Sequence, residues 1–433
     1  MAFTALWGGV SLLIPNQVQL LEFAQFFTGA DAHIDLVALT RLKDQVAAGS
    51  VIATQDQQRL LDILAGFDAS RAQSLALITS IGVGGTMIIQ PIVGVLSDRT
   101  RSRFGRRAPW MIFGALVGSA FLVGVRFAPT VAILAVLWTF AQVIINMGLA
   151  PLGATLADRV PENQRGTISA IGGFGAFVGG VLGSVCAGIA FATVGLNSYY
   201  VFAATIVLFA MIFVFRVKDR SSVELAVPEY RWSDFFRGLI VALRGRDFRW
   251  VWVARILLTF GYGVSTALSF FMLQSYVRPA LSAAEATALA PVLTLVGMPG
   301  TVLAIVIAGR LSDKLGRRKI FVIVASVLMA VSMAIPLVST TIPALIAQGI
   351  LGGIAFGIYM PVDQALLVDV LPDMKSAGRD LGIAGLATNL GQALGPVLAG
   401  QIVALSGGYT LVWVAALVLV AVAAVAIVPV RAR

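Results

Sequence analysis

The sequence contains one cysteine, Cys186, and one histidine, His33. A disulfide needs two cysteines, and sites for zinc and similar metals take most of their ligands from cysteine and histidine. The two residues are far apart in the chain, so we expect no Cys-His or Ser-His nucleophile pair. We therefore predict that the chain is not an enzyme and holds no metal and no cofactor.

Charged residues are also scarce, at 12% of the 433 residues against 58% hydrophobic residues and a mean hydropathy of +0.92. Soluble domains carry about 25% charged residues, and too few polar residues remain here to cover a core of this size. The composition predicts an integral protein of the lipid bilayer. The net charge of +10 does not indicate nucleic-acid binding, because the basic residues are scattered between apolar segments.

Long apolar runs recur along the whole chain. A helix that crosses the hydrocarbon core needs about 20 mainly apolar residues, and these runs lack the alternation of a membrane barrel. The sequence predicts an all-α membrane protein with twelve transmembrane helices, near residues 2–27, 72–96, 109–126, 130–157, 167–193, 198–215, 250–275, 286–308, 320–338, 342–368, 380–405 and 409–430.

Lysines and arginines divide unevenly between the two sides of this arrangement. Loops on the side of residues 97–108 hold 24 of the 31, and loops on the other side hold six. Cytoplasmic loops carry the excess of basic residues, so we predict a plasma or inner membrane protein with both termini in the cytoplasm. We expect no cleavable signal peptide, and the abrupt apolar start suggests a first helix that is short or incomplete.

The long polar loop at residues 28–71 lies on the opposite, outer side. Within it we predict a short helix that begins with Thr54 as N-cap and Gln57 in a capping box, and that ends at Gly66. A surface cap is the plain interpretation of such a loop. A lid that gathers substrate is the alternative.

The two halves of the chain repeat each other. GVLSDRTRSRFGRR matches GRLSDKLGRR, with Asp98 and Asp313 at an offset of 215, and LADRVPE matches LVDVLPD at an offset of 211. Both basic loops lie on one side, so an even number of crossings separates them and the repeat is parallel. We predict an N-terminal six-helix bundle that includes the outer loop, a cytoplasmic linker and a C-terminal bundle, over residues 1–215, 216–249 and 250–433.

Small residues four apart also repeat between the halves. Small residues at this spacing let helix backbones approach closely in lipid. Static packing and a sliding interface between the halves explain the spacing equally well. The two series are Gly175, Gly179 and Gly183 in the fifth helix, and Gly391, Gly395 and Ala399 in the eleventh.

The two basic loops resemble the signature loop of the major facilitator superfamily, Gly-x-x-x-Asp-Arg-x-Gly-Arg-Arg, found between helices 2 and 3 and again between helices 8 and 9. The long form SDRTRSRFGRRAPW, with AGRDLGI at residues 377–383, is similar to the glycoside-cation symporters, which include melibiose carriers and sucrose-proton symporters. The resemblance implies a small-molecule substrate bound midway through the membrane between two bundles, which rock to expose it to each side in turn.

Membrane topology alone accounts for the arginines of these loops, but the aspartates suggest a second role. Charge-assisted hydrogen bonds to an aspartate, either from nearby arginines or from a helix N-terminus, would latch one face of the protein. The resemblance implies such a latch on the cytoplasmic side. The predicted gate residues are Asp98, Arg99, Arg103, Arg106 and Arg107 in the first loop, and Asp313 and Arg317 in the second.

Ionisable groups inside membrane helices mark substrate and ion pathways, and the N-terminal half has few. Aligned on the Arg-Ser-Arg loop, the helix-2 aspartates of melibiose carriers fall at Thr86 and Gln90, and the helix-4 aspartate of sucrose symporters falls near Gln142. An amide alone binds neither a proton nor sodium, so the sequence departs from the family pattern here. Neutral groups suit a hydroxyl-rich solute, and the predicted substrate-binding residues are Gln17, Gln142, Asn146, Tyr262 and Gln364.

The C-terminal half keeps two intramembrane charges, Arg255 and Asp363. Each lies six residues along its helix from a charged residue of a cytoplasmic loop. At a rise of 1.5 Å per residue, both are therefore about 9 Å inside the cytoplasmic interface. Equal depth and opposite sign predict an ion pair; the alternative is that Arg255 reaches back to the interface and Asp363 caps local structure. Asp363, paired with Arg255, is the first candidate proton carrier, and Glu22, expected to be exposed near the outer end of the first helix, is the second.

The sequence favours a monomeric secondary transporter of a small polar solute, a sugar or glycoside, with protons as the candidate coupling ion. An exporter of lipophilic compounds is one alternative, because an uncharged N-terminal cavity would also suit such compounds. A membrane sensor or scaffold without transport is the other, because the usual coupling carboxylates are missing.

Overall fold

The computed structural model describes residues 2–218, 220–224, 245–371 and 377–431. Most of the predicted linker, residues 219 and 225–244, lies outside these described residues. The helices are α1 (Ala2–Phe26), α2 (Leu36–Ala47), α3 (Gln55–Arg99), α4 (Ala108–Val125), α5 (Val131–Arg159), α6 (Glu162–Val194), α7 (Ser198–Arg216), α8 (Arg246–Ala267), α9 (Ser269–Ser275), α10 (Ala283–Leu315), α11 (Arg318–Val338), α12 (Ile342–Asp369), α13 (Ala377–Ser406) and α14 (Thr410–Ile427), with 3-10 turns at Gly29–His33 and Gly195–Asn197.

The fold is all-α, as the sequence predicts. A helix occupies each of the twelve predicted crossings, and α8 and α9 together form the seventh. By length and hydropathy alone, eight helices within the described residues are able to span a membrane, and the α8–α9 pair, bent by 46°, makes a ninth. In the same residues, β-pairing is limited to an isolated bridge between Arg278 and Thr341.

The second basic loop is a tight connection between α10 and α11. α10 begins at a capping box, in which the Glu285 N–H donates to Ser282 Oγ at 3.2 Å and the Ser282 N–H donates to the Glu285 carboxylate at 2.8 Å. It ends at Gly316, whose φ of +59° lies in the left-handed region that favours glycine. Arg317 then precedes the first residue of α11, so the chain reverses within two residues.

Helix α3 is longer than predicted, because the short outer helix and the second crossing form one helix of 45 residues. Its predicted start is confirmed: the Thr54 N–H donates to Gln57 Oε1 at 2.9 Å, and the Gln57 N–H donates to Thr54 Oγ1 at 3.3 Å. Its predicted end at Gly66 is wrong. Glycine inside a helix costs about 1 kcal/mol relative to alanine, and packing offsets that cost here: the Phe26 ring lies where it would be 3.0 Å from a Cβ on Gly66.

The chain divides into two compact units, one formed by Met1–Gln25 and Leu77–Glu229, the other by Phe26–Ala76 and Tyr230–Arg433. The outer loop therefore belongs to the second unit, although its place in the sequence predicts that it belongs to the N-terminal bundle. Arg71 Nη2 donates to Ser275 Oγ at 2.6 Å, and Arg278 Nη2 donates to Asp44 Oδ1 at 2.6 Å. These partners are 204 and 234 positions apart, so chain order gives no sign of the contacts.

Within the second unit, α8 and α13 approach closely at glycines. A Cβ on Gly395 would be 2.7 Å from the carbonyl carbon of Gly263, and a Cβ on Gly263 would be 3.3 Å from the carbonyl oxygen of Gly391. Two members of the predicted small-residue series thus pack backbone against backbone. This contact lies inside one unit, which favours the static-packing interpretation for Gly391 and Gly395.

Candidate functional site

The first basic loop contains an ion pair between Asp98 and Arg107. Arg107 Nη2 lies 2.5 Å from Asp98 Oδ1, and Arg107 Nη1 donates to Ser97 Oγ at 2.6 Å. Arg107 is 5% exposed, whereas the Asp98 side chain is 56% exposed. If the pair opens, water can solvate the exposed Asp98 at little cost, whereas Arg107 stays buried beside Ser97. The pair is therefore a contact that can open in a conformational change when Asp98 moves into water.

Ser222 fixes the remainder of this loop. Its hydroxyl donates to the carbonyl oxygen of Thr100 at 2.9 Å and accepts from the Ser102 N–H at 3.0 Å. The backbone of the loop is thereby held, while its side chains differ in exposure. Among the other predicted gate residues, Arg103 is exposed, and Arg99 and Arg106 are half-buried.

In the second basic loop, the arginine that contacts Asp313 is Arg318 and not the predicted Arg317. Arg318 Nη2 lies 3.1 Å from Asp313 Oδ1, and Arg318 Nη1 lies 2.5 Å from Asp369 Oδ1. Sequence reasoning missed Arg318 and Asp369 as site residues, although the offset of 211 that aligns LADRVPE with LVDVLPD also aligns Arg107 with Arg318. Arg317 is exposed and forms no ion pair with a described residue.

The predicted amides of the first unit are buried. Asn146 Nδ2 donates to the carbonyl oxygen of Gln142 at 2.8 Å, and Asn146 Oδ1 accepts from Gln90 Nε2 at 3.1 Å. Gln17 Nε2 donates to the carbonyl oxygen of Val125 at 2.7 Å. Within the described residues, Gln17 Oε1 has no donor and Gln142 Nε2 has no acceptor. These two amides thus offer an open acceptor and an open donor, both neutral.

The second unit contains the predicted ion pair between Arg255 and Asp363. Arg255 Nε lies 3.2 Å from Asp363 Oδ2, and Arg255 Nη2 donates to Gln364 Oε1 at 3.1 Å. Asp363 is 1% exposed. The Arg255 Nε contact lacks hydrogen-bond geometry. The hydroxyl of Tyr359, one helical turn earlier on α12, also interacts with this carboxylate. The buried carboxylate therefore has a counter-charge on α8 and a neighbouring hydroxyl on its own helix.

Two other predicted residues lie in different surroundings. Tyr262 is 37% exposed and stacks on Phe356, with ring centroids 5.2 Å apart. Glu22 is 3% exposed, so its expected exposure is wrong. The reason is the face of the helix: Val18 and Gln19, one turn earlier on α1, are also buried, so Glu22 lies on the inward face of α1.

A second buried charge in the second unit was not predicted. Arg71 is 2% exposed, lies 2.7 Å from Asp68 Oδ1, and stands 4.7 Å from the ring centroids of both Phe67 and Phe271. Its sequence signal, an aspartate three residues before an arginine, is also typical of an ordinary interfacial pair. The contacts with Phe271 and Ser275 show that Arg71 anchors the outer loop to α9.

Further out, the same loop has an exposed ion pair between Asp31 and Arg59. Arg59 Nη1 donates to Asp31 Oδ2 at 2.8 Å. This hydrogen bond lowers the pKa of the Asp31 carboxyl. The loop is therefore tied together by contacts at both its buried and its exposed ends.

A family model described as MFS/sugar transport protein matches residues 71–429 of the chain. The chain belongs to this family. The resemblance of the two basic loops is thereby confirmed, and this MFS/sugar transport protein is a multi-pass membrane protein of a transporter family.

Curated relatives match parts of this family member. It is 30% identical over 113 residues to the General alpha-glucoside permease of Schizosaccharomyces pombe, an alignment that covers 22% of this chain and 20% of that protein. It is 33% identical over 133 residues to the Sucrose transport protein SUC4 of Arabidopsis thaliana, an alignment that covers 26% of this chain and 24% of that protein. The aligned stretches thus span a quarter or less of these relatives.

Solved structures match nearly the whole of this MFS/sugar transport protein. A mutant form of the nucleoside transporter NupG superposes with a TM-score of 0.67 at 14% identity over 96% of this chain and 100% of that chain. A bacterial homologue of the human lysosomal transporter Spinster, inward-facing and occupied, gives 0.63 at 15% identity over 98% and 96%. These likenesses confirm the fold: twelve helices in two parallel six-helix repeats.

Proposed function

We propose that this protein is a secondary transporter that moves a sugar or glycoside by alternating access, coupled to protons at Asp363. The ion pair between Arg255 and Asp363 is the observation that carries the proposal. Ionisable groups buried at membrane depth are costly and are typical of ion pathways. A purely structural ion pair would be expected to have full hydrogen-bond geometry, and the contact between Arg255 Nε and Asp363 lacks it.

The amide groups of the first unit support a neutral, hydroxyl-rich solute. Gln17 Oε1 and Gln142 Nε2 are a buried acceptor and a buried donor without a described partner. Each suits a hydroxyl group of a solute, because a hydroxyl both donates and accepts. Neither amide carries a charge that would favour an ionic solute. The similarity to an alpha-glucoside permease and a sucrose transport protein supports the same class.

The proposed proton step takes place on the Asp363 carboxylate. A proton that enters from one side binds a carboxylate oxygen and removes the negative charge that faces Arg255. Arg255 keeps its hydrogen bond to Gln364 and remains charged. Release of the proton to the other side restores the ion pair. The two protonation states differ in the attraction between α8 and α12, which is the kind of difference that can bias a conformational equilibrium.

Transport assays in proteoliposomes test the proposal. With a one-unit pH gradient, worth about 1.4 kcal/mol per proton, the wild type should accumulate a labelled glycoside up to about tenfold. Asp363→Asn should abolish accumulation while labelled solute still exchanges with unlabelled solute. Asp62→Asn, an exposed aspartate on α3, is the control and should accumulate normally.

Each other result has a distinct meaning. Accumulation by Asp363→Asn at the wild-type level would place the coupling group elsewhere. Movement of lipophilic compounds in place of every sugar tested would favour the exporter, and absence of any transport would favour a sensor or scaffold. Transport of a sugar without response to the pH gradient would retain the substrate class and refute the coupling.

A further inference from the structure

Three helices of the second unit, α10, α11 and α12, enclose an apolar groove of about 700 Å³. One face of α10 forms its long wall, through Leu303, Ile307, Leu311 and Leu315, which are between 42% and 60% exposed. The groove arises because α10 and α11 each pack extensively on α12 but contact each other at few positions. The groove therefore lies between α10 and α11, with α12 at its base.

Among the described residues that line the groove, only Arg317 is charged, and it lies where α10 ends and α11 begins. Arg318 already contacts the carboxylates of both Asp313 and Asp369. Arg317 is exposed and forms no ion pair with any residue that the structure describes. One end of the apolar groove thus carries a positive charge that no described residue pairs with.

We propose that this groove binds one acyl chain of an anionic phospholipid, with the lipid phosphate accepting hydrogen bonds from Arg317. The wall from Gly300 to Leu315 is about 22 Å long at 1.5 Å per residue, which exceeds the roughly 15 Å depth of one leaflet. A polar solute would find no hydrogen-bonding partner along this wall, whereas hydrocarbon fits it. Arginine pairs bidentately with phosphate, which every phospholipid has. A zwitterionic headgroup adds a cation close to that phosphate and repels Arg317, so the net charge favours an anionic lipid.

The proposed site accounts for the difference between the two adjacent arginines. Arg318 holds the ends of the helices together, and Arg317 is left facing the groove. With the predicted membrane orientation, Arg317 lies at the cytoplasmic leaflet, whose surface is negatively charged. Neither Asp363 nor the amides line the groove, so the proposal does not depend on the proposed transport function.

Native mass spectrometry of the full chain tests the proposal, with dioleoyl phosphatidylglycerol and dioleoyl phosphatidylcholine titrated separately. The wild type should retain one phosphatidylglycerol molecule more tightly than phosphatidylcholine. Arg317→Gln should weaken that retention about fivefold, the effect of one basic residue near an anionic surface. Arg310→Gln, which removes an equally exposed charge outside the groove, should change it little.

A second pair of variants tests the apolar wall. Ile307→Gln places a polar group in the groove and should also weaken retention, whereas Val306→Gln, at the adjacent exposed position outside the lining, should not. Glycerophosphoglycerol, which has the headgroup without the tails, should not compete. Equal retention of both lipids, equal effects of Arg317→Gln and Arg310→Gln, or competition by the soluble headgroup would overturn the proposal. All four variants change exposed positions, and an unchanged melting temperature will show that they fold.

Discussion

At the scale of single residues, the Asp98–Arg107 pair combines a buried cation with an exposed anion. Asp98→Asn removes the negative charge of a hydrogen-bonded pair to a buried arginine, which costs about 1–3 kcal/mol in the state that contains the pair. We expect transport to fall roughly tenfold, because a change of about 1.4 kcal/mol alters a conformational equilibrium by that factor. Initial rates in proteoliposomes, normalised to the amount of inserted protein, measure the effect.

Glu224→Gln provides the matched control, since Glu224 is an exposed acid in the same unit. It should transport and insert as the wild type does. A normal rate in the Asp98→Asn variant would show that the pair is not a latch. If the Asp98→Asn variant instead fails to insert into the membrane, the pair serves folding alone.

At the scale of helices, the contact between α8 and α13 depends on glycine. Gly395→Ala places a methyl group 2.7 Å from the backbone of Gly263, and overpacking of this kind costs about 1–3 kcal/mol. Gly385→Ala on the same helix meets nothing within 4 Å and should be neutral or slightly stabilising, because alanine favours helix by up to about 1 kcal/mol. Thermal unfolding in detergent should separate the two variants; equal melting temperatures would show that the helices move apart readily.

Helix positions were largely predictable, whereas helix ends were not. Hydrophobic runs of membrane length place every crossing, because lipid leaves the backbone no other way to satisfy its hydrogen bonds. The start of α3 followed from the local pattern of Thr54 and Gln57. Its continuation through Gly66 did not, because it depends on packing by Phe26, about 40 residues earlier in the chain. A local signal predicts an end that tertiary contacts can override.

The same limit applies to the candidate site. Equal depth in the membrane was sufficient to predict the Arg255–Asp363 pair, because both residues lie on regular helices with a fixed rise. The repeat aligns Arg318 with Arg107, but it does not say which arginine of either loop contacts the aspartate, since that depends on which way each side chain leaves the turn. The burial of Arg71 depends on Phe271 and Ser275, which lie 200 or more residues later in the sequence.

At the scale of the whole molecule, the uneven distribution of basic residues predicts the orientation in the membrane. The lone Cys186 makes this prediction easy to test, because Cys186→Ser yields a chain without cysteine. In that background, Ile52→Cys and Phe104→Cys add single thiols at positions 94% and 72% exposed, in the outer loop and in the first basic loop. A membrane-impermeant maleimide applied to intact cells should label the Ile52→Cys variant alone.

Labelling of the Phe104→Cys variant should require permeabilised cells, because the arginine-rich loop is retained on the cytoplasmic side. The reverse pattern would invert the orientation and would place Arg317 at the outer leaflet, where the negative surface potential that favours an anionic lipid is absent. The location of the Asp98 latch would change with it. The sidedness of two cysteines therefore decides which face of the protein the latch closes and which leaflet supplies the lipid.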